Sequence, residues 1–159
     1  MAEGSLKEAL VAKVESFFAE EDWGYSFDER INGFKAGISL RSKLRQTDMY
    51  IICKDDALRF SFTISVGTDE ENEIPVMEFI TRANYGLNYG GFQMNLDRNY
   101  IEYTLYLPCE DVPSNTMIGR TIFTGINMLN HYGNELLAVM FGMKSAQDAI
   151  EEVENKGRG

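Results

Sequence analysis

The sequence predicts an α+β fold, with an antiparallel sheet of about five strands packed against helices in the order α-β-β-β-α-β-β-α. Three observations carry that prediction. Leu58, Phe60, Phe62, Ile64 and Val66 alternate with Arg59, Ser61, Thr63 and Ser65, the mark of a strand with one buried and one polar face. The strand runs are joined by tight polar turns, not by the crossovers that a parallel sheet needs. Two other segments, one near the N-terminus and one after residue 114, repeat their apolar residues at helical spacing instead.

Each element has a local cause. Ser5-Leu6-Lys7-Glu8 is a capping box, and Leu6, Leu10, Val14, Phe17 and Phe18 make one apolar stripe on the helix it opens. Asp22-Trp23-Gly24 ends that helix. The stretch from Tyr25 to Arg30 is too short and polar for a full strand. Asn32-Gly33 supplies a turn, because both residues tolerate positive φ, and Phe34 to Leu40 follows as the first strand. Arg41 to Arg45 reads as a polar loop, Met49 to Cys53 as a strand, Asp55-Asp56-Ala57 as a turn, and Leu58 to Val66 as the alternating strand.

An acidic loop from Thr68 to Glu73 leads into a helix from about Ile74 to Leu87, with Pro75 in its first turn, where a missing N–H costs little. Gly90-Gly91 then introduces the strand Phe92 to Leu96, turned by Asp97-Arg98-Asn99 into a partner strand, Ile101 to Leu107, that Pro108 stops. Ser114 or Asn115 caps a long helix striped by Met117, Ile118, Ile122, Ile126, Leu129 and Tyr132. Gly133-Asn134 is expected to kink or restart it. Leu136 to Phe141 is expected to be deeply buried, with Gly142 as the C-terminal cap. Ser145 opens a short acidic helix through Glu154. The chain thus reads as one domain over 1–154, followed by a flexible tail over 155–159.

Composition limits function. The 159 residues carry 25 acidic and 15 basic side chains, a net charge of −10, which opposes a nucleic-acid binder. Charges at Glu3, Lys7, Glu8 and Lys13 interrupt any apolar signal core, and no stretch approaches the roughly 20 apolar residues of a membrane span. A cytoplasmic protein without membrane contact is the expectation. In that compartment Cys53 and Cys109 read as buried free thiols.

Complete chemical sites are missing from the pattern. His131 stands four residues before Glu135, but no second His exists to build a metal site with it. Cys109 and His131 form a nucleophile–base pair only if the fold brings them together. The glycines at 86, 90 and 91 fit neither a dinucleotide fingerprint nor a P-loop. Asp69-Glu70-Glu71 and Glu151-Glu152 lack the ligand spacing of a calcium loop. Arg30, Lys35, Arg41, Lys43 and Arg45 form a basic group that reads as a solvated loop region. The expectation is therefore of no enzyme, no catalytic residue, no cofactor and no metal.

Several strings resemble the YbjN-like bacterial family, whose fold is similar to that of type III secretion chaperones. They are Glu78-Phe79-Ile80-Thr81-Arg82-Ala83-Asn84-Tyr85-Gly86-Leu87, Gly91-Phe92 with its strand, Leu136-Leu137-Ala138-Val139-Met140-Phe141-Gly142, and Ser145-x-x-Asp148-Ala149-Ile150. Asn95, Asn99, Asn134 and Ala146 depart from the residues that relatives tend to carry there. The resemblance implies a non-enzymatic protein-binding domain, chaperone-like or regulatory, of a kind often described as a sensory-transduction regulator. It contributes no established catalytic set.

Two surfaces are expected to bind. On the middle helix, Ile74, Met77, Ile80, Ala83 and Tyr85 join Val76, Phe79 and Leu87 around more than one side, so a second partner is required there. The resemblance to commonly dimeric secretion chaperones makes that partner a second copy, hence a homodimer. The polar sheet face offers Arg59, Gln93, Asn95, Tyr100, Thr104 and Tyr106, a mix suited to holding an extended segment of a protein partner. The alternative reading is a small-molecule sensor with a pocket between the long helix and the sheet, lined by adaptable Met and Phe.

Overall fold

The computed structural model describes residues 5–64 and 67–158. Ser65 and Val66, the end of the expected alternation, lie outside the described residues. The elements are α1 (Leu6–Glu20), β1 (Ser26–Asp28), β2 (Gly33–Ser39), β3 (Gln46–Cys53), β4 (Ala57–Ile64), a 3-10 turn over Glu70–Asn72, α2 (Glu73–Tyr85), β5 (Gly91–Asn95), β6 (Tyr100–Pro108), α3 (Asn115–Met140) and α4 (Ala146–Arg158). The strands form one antiparallel sheet in the order β1-β2-β3-β4-β6-β5.

The α+β class is as expected, with one strand more than the sequence indicates. β1 is that strand. Its three residues are too few for alternation to register, and tertiary contact holds it: Phe27 pairs with Phe34 across the ladder, with ring centroids 4.7 Å apart. The backbone of α4 is helical as far as Arg158.

The core fills one side of the sheet. Phe34, Ile51, Leu58, Phe60, Phe62, Ile101 and Tyr103 point from the strands into it, and Leu10, Val14 and Phe18 of α1, Val76 and Phe79 of α2, and Ile118, Leu129 and Leu136 of α3 meet them. α4 packs on α2 and α3. The anticipated caps form: Ser5, Ser114 and Ser145 each accept the N–H three residues on, at 3.2, 3.1 and 3.1 Å. Gly142 ends α3 at φ 71°, with its N–H on the Val139 carbonyl and that of Met143 on the Ala138 carbonyl, a Schellman closure.

Gly133-Asn134 does not break α3, which runs unbroken from Asn115 to Met140. Both residues serve the loop between β2 and β3. A Cβ at Gly133 would stand 2.7 Å from Ser42 Oγ and 2.8 Å from Leu44 Cδ1, so glycine lets the loop lie against the helix. Asn134 Oδ1 then accepts the Lys43 N–H at 2.7 Å, and Asn130 Oδ1 accepts those of Arg41 and Ser42 at 2.8 and 3.1 Å. Leu136, Val139 and Met140 are buried as expected, whereas Phe141 is exposed at the helix end.

Candidate functional site

The side of the sheet away from the core is built from the alternate residues of β2 to β6. Register sets the rows across it: Lys35, Tyr50, Ser61 and Thr104 stand opposite one another, as do Asp48, Thr63, Glu102 and Gln93, and as do Ile52, Arg59 and Tyr106. No described helix covers this face, and Lys35, Asp48, Gln93 and Tyr106 are exposed on it.

At its centre lies Glu102. The Arg59 guanidinium donates to Oε1 at 3.0 Å, the Ser61 hydroxyl donates to Oε2 at 2.6 Å, and the Gln93 amide also donates to Oε1. Burial on its own pushes the Glu102 carboxyl up. The hydrogen bonds from Ser61 and Gln93, then the Arg59 charge, outweigh burial and hold it below the usual carboxylate range. A carboxyl depressed on folding contributes stability above its unfolded pKa, and that contribution disappears as pH falls through the folded value. Chemical denaturation from pH 7 down into the acid range should therefore show stability dropping below about pH 4.5, near the free Glu value, with a visibly shallower decline in Glu102→Gln. An identical acid limb in the two proteins would mean that Glu102 is not held this way.

Around the carboxylate, Tyr50, Ile52, Thr63 and Tyr100 form a shallow bowl of about 450 Å³. The six residues expected to serve as a recognition face divide accordingly. Arg59 and Gln93 are committed to Glu102. Asn95 is committed to the hairpin, where its Oδ1 accepts the N–H groups of Asp97 and Arg98 at 3.0 and 2.9 Å. Tyr100, Thr104 and Tyr106 remain on the surface of the face. Tyr50 belongs with them; its place between buried Met49 and Ile51 was the signal that it points outward.

The middle helix divides too. Ile80 and Ala83 belong to the core and do not form an outer interface, whereas Ile74 and Tyr85 are 76% and 95% exposed and Met77 is exposed between them. Gly142 lies beside Asn72 at the start of α2, and its chain neighbours Phe141 and Met143 are also exposed.

The groups considered for chemistry stand apart. His131 is exposed, and Glu135 pairs with Lys144 at 2.6 Å. Cys109 follows β6 at one end of α3, and His131 lies sixteen residues along that helix from Asn115, about 24 Å at 1.5 Å per residue. Cys53 and Cys109 are both free and buried, and burial pushes both thiols up, that of Cys53 to about 12. Of the basic group, Arg30 pairs with Asp28 and Lys35 with Asp48. Among the described residues no three His, Cys, Asp or Glu side chains are grouped to hold a metal ion, and no helix is long and apolar enough to cross a membrane.

Two clefts flank the first half of α3. One, of about 660 Å³, lies against α1 and is lined by Phe17, Trp23, Ile122 and exposed Phe123. The other, of about 360 Å³, lies between α3 and β6.

Among solved structures the chain is similar to the crystal structure of YbjN from E. coli, described as "a putative transcription regulator". The TM-score is 0.57, the identity 10%, and the match covers 80% of this chain and 89% of that one. The chain thus has a YbjN-like fold, in keeping with the resemblance in its local strings. No protein-family model matches the sequence, and no curated protein matches it.

Proposed function

We propose that this chain is a non-enzymatic protein-binding domain of the cytoplasm, chaperone-like or regulatory, that holds a segment of a partner protein and works as a homodimer. The observation that carries the reading is the outer sheet face. Its charged centre is already satisfied internally, so Tyr50, Tyr100 and Tyr106 can cover a partner without leaving an unpaired charge buried beneath it. Tyrosines on a rigid sheet provide contact area at low entropic cost. The regulatory side of the reading draws on the description of the YbjN neighbour.

Homodimerisation rests on Ile74, Met77 and Tyr85, whose exposure in one helix stripe is explained if a second copy covers them. Affinity capture from the native cell extract tests the main reading. A specific partner recovered with the unaltered chain and lost with Tyr100→Ala supports it; repeated recovery of nothing above background opposes it. The small-molecule sensor has one observation in its favour, the cleft of about 360 Å³ between α3 and β6. Stabilisation by a metabolite in a thermal-shift screen would favour that second reading.

A further inference from the structure

β5 is shorter than the strand beside it. It pairs with β6 from Gly91 opposite Thr104 to Asn95 opposite Tyr100, whereas β4 follows β6 as far as Pro108. Beyond Thr104, one side of β6 therefore has no neighbouring strand among the described residues. Phe92 fixes which main-chain groups face that side. Its N–H donates to Asn84 Oδ1 and its carbonyl accepts from Asn84 Nδ2, both at 2.8 Å, so its main chain turns away from β6. Its cross-strand partner Tyr103 must then bond to β4. Direction alternates along a strand, so Thr104 bonds to β5, and the N–H and carbonyl of Tyr106 face the open side. Pro108, which has no N–H, closes the stretch.

That open edge is one wall of the cleft of about 360 Å³. Leu105, Leu107 and Met117 give it apolar walls, beside Tyr89, Thr121 and Thr124. Arg120 is the one charged side chain in its lining, and it forms no ion pair among the described residues. An edge with free main-chain groups invites a strand. A second copy is a poor occupant. Two-fold pairing of β6 on itself about Tyr106 would set Pro108 of one copy opposite Thr104 of the other, in the lane that Gly91 already fills.

We propose that an extended segment of a partner protein, carrying an aspartate or glutamate, adds to β6 beside residues 105–108. This rests on the reading that the chain holds a partner segment, and it adds an edge contact beside Tyr106 to the contact that reading places on the sheet face. The segment bonds through its main chain to Tyr106. Alternate side chains enter the cleft, where the acidic one meets Arg120, and the others lie toward the outer face beside Tyr106. The pair forms well inside the screening length of about 8 Å, so the net charge of the chain does not prevent it.

The test uses the full chain and a phage-displayed library of random peptides, with the enriched sequences then synthesised. They should share an acidic residue within a short β-prone run. Arg120→Glu, exposed and so tolerated by the fold, should weaken them about tenfold or more, and exchanging the acid of the peptide for lysine should restore binding to that variant. Methylating the main-chain nitrogen that faces the Tyr106 carbonyl, found by scanning the run, should weaken binding about tenfold, because it removes a ladder bond. Enriched peptides indifferent to both changes overturn the edge site. If those peptides are lost on Tyr100→Ala, the sheet face holds the segment and the broader reading survives. Enrichment of nothing counts against both, and a change of particle mass with Arg120→Glu would reassign the edge to self-association.

Discussion

Gly125→Ala will destabilise the fold by about 2–3 kcal/mol, although alanine is the better helix former by about 1 kcal/mol. Gly125 is buried in the middle of α3. A Cβ there would lie 2.1 Å from Cε1 and 2.2 Å from Cζ of Phe62, whose ring is fully buried on β4. The ring cannot retreat, because it occupies the packed centre of the core. Neither can the helix, because Asn130 and Asn134 tie its second half to the β2–β3 loop. At about 2–4 °C per kcal/mol for a chain of this size, the melting temperature should fall by roughly 4–12 °C. Phe62→Leu in the Gly125→Ala background should recover part of the loss, the non-additivity expected of side chains in contact. A rise in melting temperature, as at an exposed helix glycine, would contradict this packing of α3 on the sheet.

The second large effect is on assembly. With Ile74 and Met77 both replaced by glutamate, light scattering at micromolar concentration should report a particle of 18.1 kDa, against twice that mass for the unaltered chain. Glutamates facing each other across a two-fold interface repel and lose solvation together, so even this small change abolishes a dimer built on the α2 stripe. Secondary structure should be unaffected, since both side chains point outward from the core. An 18.1 kDa particle from the unaltered chain would contradict the dimer outright.

What the sequence discloses about this fold depends on the range of the interaction. The hydroxyl caps at Ser5, Ser114 and Ser145 act over three residues, and the alternation along β4 acts over two, so both are legible in the string. The jobs of Gly125 and Gly133 are not. Each is defined by a neighbour far away in sequence, Phe62 or the Ser42–Leu44 loop, and locally such glycines read as weak points in a helix. β1 escapes for the same reason, because Phe34 rather than its own pattern makes it a strand.

The site shows the same division. That Arg59, Thr104 and Tyr106 share a polar face follows from alternation alone. That Asn95 bonds within its own turn, and that Ile80 and Ala83 turn inward while Ile74 and Tyr85 turn out, depends on how the strands and α2 settle on the core. Tyr50 was readable, lying between two buried neighbours. Arg120 was not, because the open stretch of β6 beside it exists only because β5 begins as late as Gly91.

The proposed function depends on the outer face holding a partner. That hold is measured most directly by the affinity of the captured partner, determined by titration calorimetry, for the unaltered chain and for Tyr100→Ala. A weakening of about tenfold or more is expected on losing that aromatic ring, with the melting temperature unchanged. An affinity that stays the same when the ring is removed would contradict it.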